Sequence, residues 1–255
     1  MLWDASVLKG YGIDAEDGRL GTVSDFLFED TSWTIRWLVV DTGNWLSGRS
    51  VLLPPSVLGQ PDAARRQFPV TLTMQQVKDS PEFDTDLPVS RQMEARVYDH
   101  YGWDPYWGAG YMIDDAMAMP FGAPLRLPGP MPEASVVATP PSRKGDPHLR
   151  SIAAIIGYHI HASDGELGHV QDLLVDDDNW SIRYIKVDTG NWLAGKIVLI
   201  APRSVQEIDW ALRLARLAVD RGRVKSSPPY DPSMTVDGAY EQKFRAHYDL
   251  PEPWL

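Results

Sequence analysis

Two aspartates in matching settings are the residues best placed to do chemistry. Asp41 stands in VVDTGNWLSG (39–48) and Asp188 in KVDTGNWLAG (186–195), each after an apolar run and before Thr-Gly. Two carboxylates that share one proton can activate water for hydrolysis. Such a dyad draws one aspartate from each half of a molecule, and this chain offers one in each half. The same stretch has a plainer use. In Asp-Thr-Gly-Asn-Trp after a strand, Gly supplies a positive φ and Asn tolerates one. The Asp carboxylate can then accept backbone N–H groups at the strand end. On that reading Trp45 and Trp192 fold back over the mouth of the structure. Asn44, Trp45, Asn191 and Trp192 become candidate contact residues of a shared turn.

The surroundings favour the turn. A pepsin-like protease places an apolar-apolar-Gly triplet downstream of each Asp-Thr-Gly, and Ile155-Ile156-Gly157 has that form. It aligns with Leu8-Lys9-Gly10, however, so it opens a repeat unit, and no such triplet follows Asp188. Asn44 and Asn191 also stand where those proteases carry a supporting Ser or Thr. The loops are too short for two lobes, a cleft and a flap. A short motif without its context is weak evidence, and hydrolysis through Asp41 and Asp188 is kept as the alternative reading.

The repeat organises the chain. DGRLGTVSDFLFEDTSWTIRWLVVDTGNWLSGRSVLLPP begins at Asp17, and DGELGHVQDLLVDDDNWSIRYIKVDTGNWLAGKIVLIAP begins at Asp164, an offset of 147 with about half the positions identical. The same offset lays VKDSPEFD (77–84) on VKSSPPYD (224–231), and Met93, Val97 and Tyr101 on Tyr240, Phe244 and Tyr248. The boundaries follow: a first unit over 1–101, a linker rich in aromatics and proline over 102–148, and a second unit over 149–255. The proline run from 120 to 148 cannot propagate a helix or a sheet ladder and reads as a semi-rigid spacer.

Within a unit the hydrophobic period is two. Trp33, Ile35, Trp37 and Val39 alternate with Thr34, Arg36, Leu38 and Val40, which predicts a strand with the first four on one face. Residues 19–29 and 49–53 read as strands too, and turn signals (AEDG, EDTS, TGNWLSG) separate them. Thr73 with Gln76 fits a capping box, and Asp220 takes the matching cap position. Ser90 caps a later helix that stops at Gly102. The predicted fold is mainly β: two small barrels in tandem, each with short C-terminal helices.

Composition narrows the function. The formal net charge is −11 over 255 residues, which disfavours binding to phosphate backbones, so no direct nucleic-acid partner is expected. With no cysteine there is no disulfide framework and no thiolate metal site. No apolar run is long enough for a membrane span. The expected location is cytoplasmic, with peripheral association to an inner, photosynthetic membrane complex left open. His159, His161 and His169 read as surface histidines, and Asp176-Asp177-Asp178 as a solvated turn. No metal or other cofactor is expected. Asp25 and Asp172, with Arg36 and Arg183, are identical across the units and read as ion pairs. Tyr101, Trp103, Tyr106 and Trp107, echoed by Trp254, form an aromatic segment suited to docking on a barrel or a partner.

The pattern DGxxGxVxDxLxxxxxWxIRxxxVDTGxWLxGxxVLxxP resembles the PRC-barrel family, found in the photosynthetic reaction-centre H subunit and in the C-terminal half of a ribosome-maturation factor. Asp17-Gly18, Gly21, Val23, Asp25, Trp33, Arg36, Val40 through Gly43, Trp45, Leu46 and Val51-Leu52 carry it, with LTMQQVKDSPEF (72–83). The resemblance implies a non-enzymatic interaction or scaffold protein with an unidentified protein partner or a homodimer. Photosynthetic or other complex assembly is the implied setting, and binding of a ribosomal protein the second. Neither the H subunit's transmembrane helix nor the ribosomal factor's N-terminal domain is expected from these residues.

Overall fold

Residues 1–81, 91–103, 148–193 and 195–251 are described by the structure, a computed structural model. The first repeat runs β1 (Leu2–Asp4), α1 (Ala5–Leu8), β2 (Gly12–Ala15), β3 (Gly18–Glu29), β4 (Thr34–Asp41), β5 (Ser50–Leu53), β6 (Gln67–Pro69), α2 (Met74–Lys78) and α3 (Arg91–Tyr101). The second runs β7 (Leu149–Ser151), α4 (Ile152–Ile155), β8 (His159–Ala162), β9 (Gly165–Asp176), β10 (Ile182–Asp188), β11 (Ile197–Ile200), β12 (Val205–Asp209), β13 (Leu214–Leu217), α5 (Arg221–Lys225) and α6 (Gly238–Tyr248). Local signals set the helix ends. Thr73 and Gln76 close a capping box on α2, and the Asp220 carboxylate accepts from the Arg223 N–H to start α5. Gly102, at φ 66°, ends α3. Ser90, the cap expected for that helix, lies outside the described residues.

Two mixed sheets result. One has the order β5-β4-β3-β2-β6, and the other β11-β10-β9-β8-β13-β12. In each, one parallel pair (β2 with β6, β8 with β13) joins otherwise antiparallel neighbours. The fold is mainly β with short helices, as the period-two pattern predicts.

The two sheets exchange their first strands. β3 and β9 are each 12 residues long, about twice an ordinary strand. The start of β3 pairs with β2, and its far end, Leu27–Glu29, pairs with β7 of the second repeat. The start of β9 pairs with β8, and its far end, Leu174–Asp176, pairs with β1 of the first repeat. Backbone bonds just beyond each exchanged strand match: the Asp30 N–H donates to His148 O (2.9 Å) and the Asp177 N–H to Met1 O (3.1 Å). The exchange covers edges that would otherwise leave unpaired amides.

The hairpin tips interlock as well. Trp33 and Trp180 both sit at positive φ, 54° and 56°. The Ile35 N–H donates to Trp180 O (2.8 Å) and the Ile182 N–H to Trp33 O (2.7 Å). The Trp180 ring lies 6.3 Å from Phe26 and 5.9 Å from Phe68, both in the first repeat. One apolar cluster therefore runs through both repeats, from Ala5 to Val224. Two smaller clusters lie on the outer faces of the sheets, under α3 (Trp37, Val39, Val97, Tyr98) and under α6 (Tyr184, Leu199, Tyr240, Phe244).

Two expectations are corrected. The strand over 34–41 does not keep Trp33, Ile35, Trp37 and Val39 on one face. The register shifts at Arg36, between the pairs Leu27–Trp37 and Phe28–Ile35. This bulge sends Ile35, Leu38 and Val40 to the shared core, and Trp37 and Val39 to the outer cluster. Arg183 marks the same shift in β10. For the same reason the arginines do not pair with Asp25 and Asp172. Arg36 bonds Glu29, and the Arg183 Nη2 donates to Glu241 (2.8 Å).

Candidate functional site

The shared turns are built around the two aspartates. The Asp41 Oδ1 accepts from the Gly43 N–H at 2.8 Å, and the Asp188 Oδ1 from the Gly190 N–H at 2.8 Å. Gly43 and Gly190 take φ of 57° and 51°. Thr42 and Thr189 are buried, and their hydroxyls donate to Arg49 O and Lys196 O, closing each loop. Each carboxylate thus caps its own turn, on a different sheet. The His169 Nε2 lies 4.0 Å from the Asp188 carboxylate. Nothing in this geometry brings Asp41 and Asp188 to a common proton.

Asn44 and Asn191 are exposed at the tips of these turns. Trp45 and Trp192 are half-buried against the core, as lids. The Trp45 indole N–H donates to Leu20 O, and the Arg221 guanidinium lies 4.6 Å from the centre of the Trp192 ring. The turns press on a glycine of the neighbouring strand. A Cβ on Gly21 would stand 2.1 Å from Asp41 O, and one on Gly168 would stand 2.0 Å from Asp188 O. Gly168→Ala is expected to lower the unfolding free energy by about 1–3 kcal/mol, read from the urea midpoint. An unchanged midpoint would mean that the strand and the turn are not in contact.

Of the aromatic segment, the described part packs on its own unit. Trp37 is fully buried under Tyr98, with ring centroids 5.2 Å apart, and its indole N–H donates to Glu94 Oε1 at 2.6 Å. Burial pushes the Tyr98 phenol up to about 12, and the Glu94 charge adds to the shift. Tyr101 and Trp103 stack on each other at 4.1 Å and are half-buried on this face. Tyr106, Trp107 and Trp254 lie outside the described residues.

A polar seam lies under the exchanged strands, and the sequence reading missed it. Asp25 accepts from the Ser151 hydroxyl and the Ala153 N–H (3.1 Å), both on the second repeat. Asp172 accepts from the hydroxyl and N–H of Ser6 on the first repeat, and from the Leu173 N–H at 2.8 Å. Burial pushes the Asp172 carboxyl up, against these hydrogen bonds. Beside it the Lys186 ammonium donates to Asp4 Oδ1 at 2.7 Å. Burial alone would lower Lys186, but the hydrogen bond and charge of Asp4 outweigh it and the net shift is upward. The signal available in the sequence was the identity of Asp25 and Asp172 across the repeats. Their partners come from the opposite repeat, so no spacing rule points to them.

Among the described residues, one group of three possible metal ligands converges: Asp176, Asp177 and Asp178, with ligand atoms within 4.8 Å of one another. The Met1 ammonium bonds Asp177 and lies 3.5 Å from Asp176, and the Trp3 indole N–H donates to Asp177 at 2.8 Å. His159 stands opposite His169 in the β8–β9 ladder, and its Nδ1 lies 3.1 Å from Glu166. No helix among the described residues is long and apolar enough to cross a membrane.

Comparison with known proteins agrees with this architecture. The chain is 37% identical over 83 residues to an uncharacterised protein of Deinococcus radiodurans. That match covers 32% of this chain and 29% of the relative, so this chain answers to under a third of the relative's length. The model of the PRC-barrel domain matches twice, over residues 8–70 and 148–219. PRC-barrel domains are generally non-catalytic modules that often mediate protein interactions. With more than half of its residues inside those two matches, one in each repeat, the chain belongs to the PRC-barrel domain family.

Proposed function

We propose that the protein is a non-catalytic interaction scaffold that presents two similar turn surfaces at a fixed spacing. The observation that carries this reading is the reciprocal exchange of β1 and β7 over one continuous core. Two independent domains on a linker would present their turns at variable distance. Two interlocked ones hold Asn44 and Asn191 in a set geometry, as an assembly factor that engages a repeated or two-fold partner requires. The aspartates that suggest hydrolysis are engaged as turn caps. The family's occurrence in the reaction-centre H subunit supports a large membrane-bound complex as the setting, with this chain docking peripherally.

The test is co-isolation from the native host. Asn44→Lys with Asn191→Lys changes two exposed side chains, so the melting temperature is expected to hold while recovery of the partner complex falls about tenfold, a change of about 1.4 kcal/mol. Undiminished recovery would contradict the role of the turns. Hydrolysis of peptides at acid pH that Asp41→Asn abolishes would overturn the non-catalytic reading.

A further inference from the structure

A row of metal-ligand side chains crosses the solvent face of β8, β9 and β10. Asp188 on β10 stands opposite His169 on β9, and His169 opposite His159 on β8. Residues directly opposite in a ladder share a face, with Cβ atoms about 4.5–5.5 Å apart. The His159 N–H donates to Arg213 O on the other side of β8 (2.9 Å), so His159 and His169 form a pair without mutual backbone bonds. Side chains approach most closely at such pairs. Glu166, diagonal to His159 on β9, lies 3.1 Å from its Nδ1. The Asp188 Oδ1 caps its turn, while its Oδ2 faces the His169 Nε2 at 4.0 Å. These four side chains are between 33% and 61% exposed, so an ion in solution can reach them.

The ladder does not need these residues. In the same registers the first repeat has Asp41 opposite Thr22 and Thr22 opposite Gly12, with Arg19 in place of Glu166. The Arg19 guanidinium fills the space over Gly12, where a Cβ would stand 2.7 Å from its Nη2. One repeat therefore puts a fixed cation where the other gathers two imidazoles and two carboxylates. His161 shares the strand and face of His159, but its neighbour in the parallel ladder is Arg216, whose guanidinium repels a metal ion.

We propose that His159 and His169 bind a first-row divalent ion of the Zn²⁺ class, with Glu166 and Asp188 supplying carboxylate oxygens and water completing the shell. Imidazole together with carboxylate suits Zn²⁺ and disfavours Mg²⁺, which takes oxygen ligands. The side chains stand as two pairs, His159 with Glu166 and His169 with Asp188. Rotation of these exposed groups brings both imidazoles to the distance of about 2.0–2.1 Å that zinc requires. The site goes beyond the docking role of the turns and does not depend on it.

The experiment is calorimetric titration of Zn²⁺ into the full chain, with Mg²⁺ as the comparison ion. Zn²⁺ is expected to bind about a hundredfold or more tightly than Mg²⁺. His169→Thr installs the first repeat's residue, and His159→Thr removes the facing imidazole. Each is expected to weaken Zn²⁺ about tenfold or more, since even the loss of a group that supports a ligand costs about 10–100-fold. Without zinc, both variants should melt as the parent chain does, because the positions are exposed. Zinc should raise the melting temperature of the parent and leave that of His169→Thr where it is. His161→Ala should keep the parent's affinity. No binding of Zn²⁺, binding no tighter than that of Mg²⁺, or unchanged affinity in His169→Thr would overturn the proposal. An equal loss in His161→Ala would do so too, by spreading the binding over scattered histidines. Loss on Asp178→Asn with His169→Thr unaffected would place the ion at the acidic turn, against the proposal.

Discussion

Trp180→Ala is expected to remove about 3–5 kcal/mol of stability, and to remove it from both repeats together. The side chain is buried in the shared core, and the rings it meets, Phe26 and Phe68, belong to the other repeat. Alanine leaves a cavity at the centre of the joined core, not at the edge of one unit. The backbone strain at φ 56° is common to Trp and Ala and so drops out of the difference. Denaturant unfolding of the variant, followed at β3 and at β9, should show both midpoints falling. A fall confined to the second repeat would mean that the tip of its hairpin does not enter the first.

Removing residues 1–6 is expected to have the second large effect. It takes away β1, which covers the far end of β9, together with Asp4 and Ser6. Lys186, whose side chain is only 7% exposed, then loses its carboxylate partner, and Asp172 loses the Ser6 hydroxyl. Breaking a buried pair by removing one member costs about 3–5 kcal/mol where water cannot enter, and less here, because the deletion opens the seam to solvent. The damage falls on the second repeat although the deleted residues belong to the first.

The features that were legible in the sequence are local. The capping box at Thr73, the Asp220 cap, the stop at Gly102 and the apolar stripe of Tyr240, Phe244 and Tyr248 each depend on residues a few positions apart. The same holds for the turn reading of Asp41 and Asp188. The bulge at Arg36 was hidden because alternation in the sequence continues through it while the backbone inserts an unpaired residue. That single insertion moved Trp37 and Val39 to the outer face and took Arg36 to Glu29 instead of Asp25. The strand exchange was hidden for a different reason. Leu2–Asp4 and Leu149–Ser151 occupy equivalent positions in a repeat, so the hydrophobic pattern serves pairing within a unit as well as between units. What separates the two is charge: Asp4 meets Lys186 in the second repeat, where its own repeat offers Val39 at the equivalent position. Asn44 and Asn191 were readable as exposed turn residues by type.

Hydrogen exchange of two backbone amides, compared between the whole chain and the chain lacking residues 1–6, tests the reciprocal exchange of strands most directly. The Asp177 N–H donates to Met1 O, and the Asp30 N–H donates to His148 O. Deletion is expected to speed exchange at Asp177, in the second repeat, and to leave Asp30, in the first, protected. Loss of protection at Asp30 with Asp177 unaffected would mean that each repeat keeps its own first strand and that no exchange takes place.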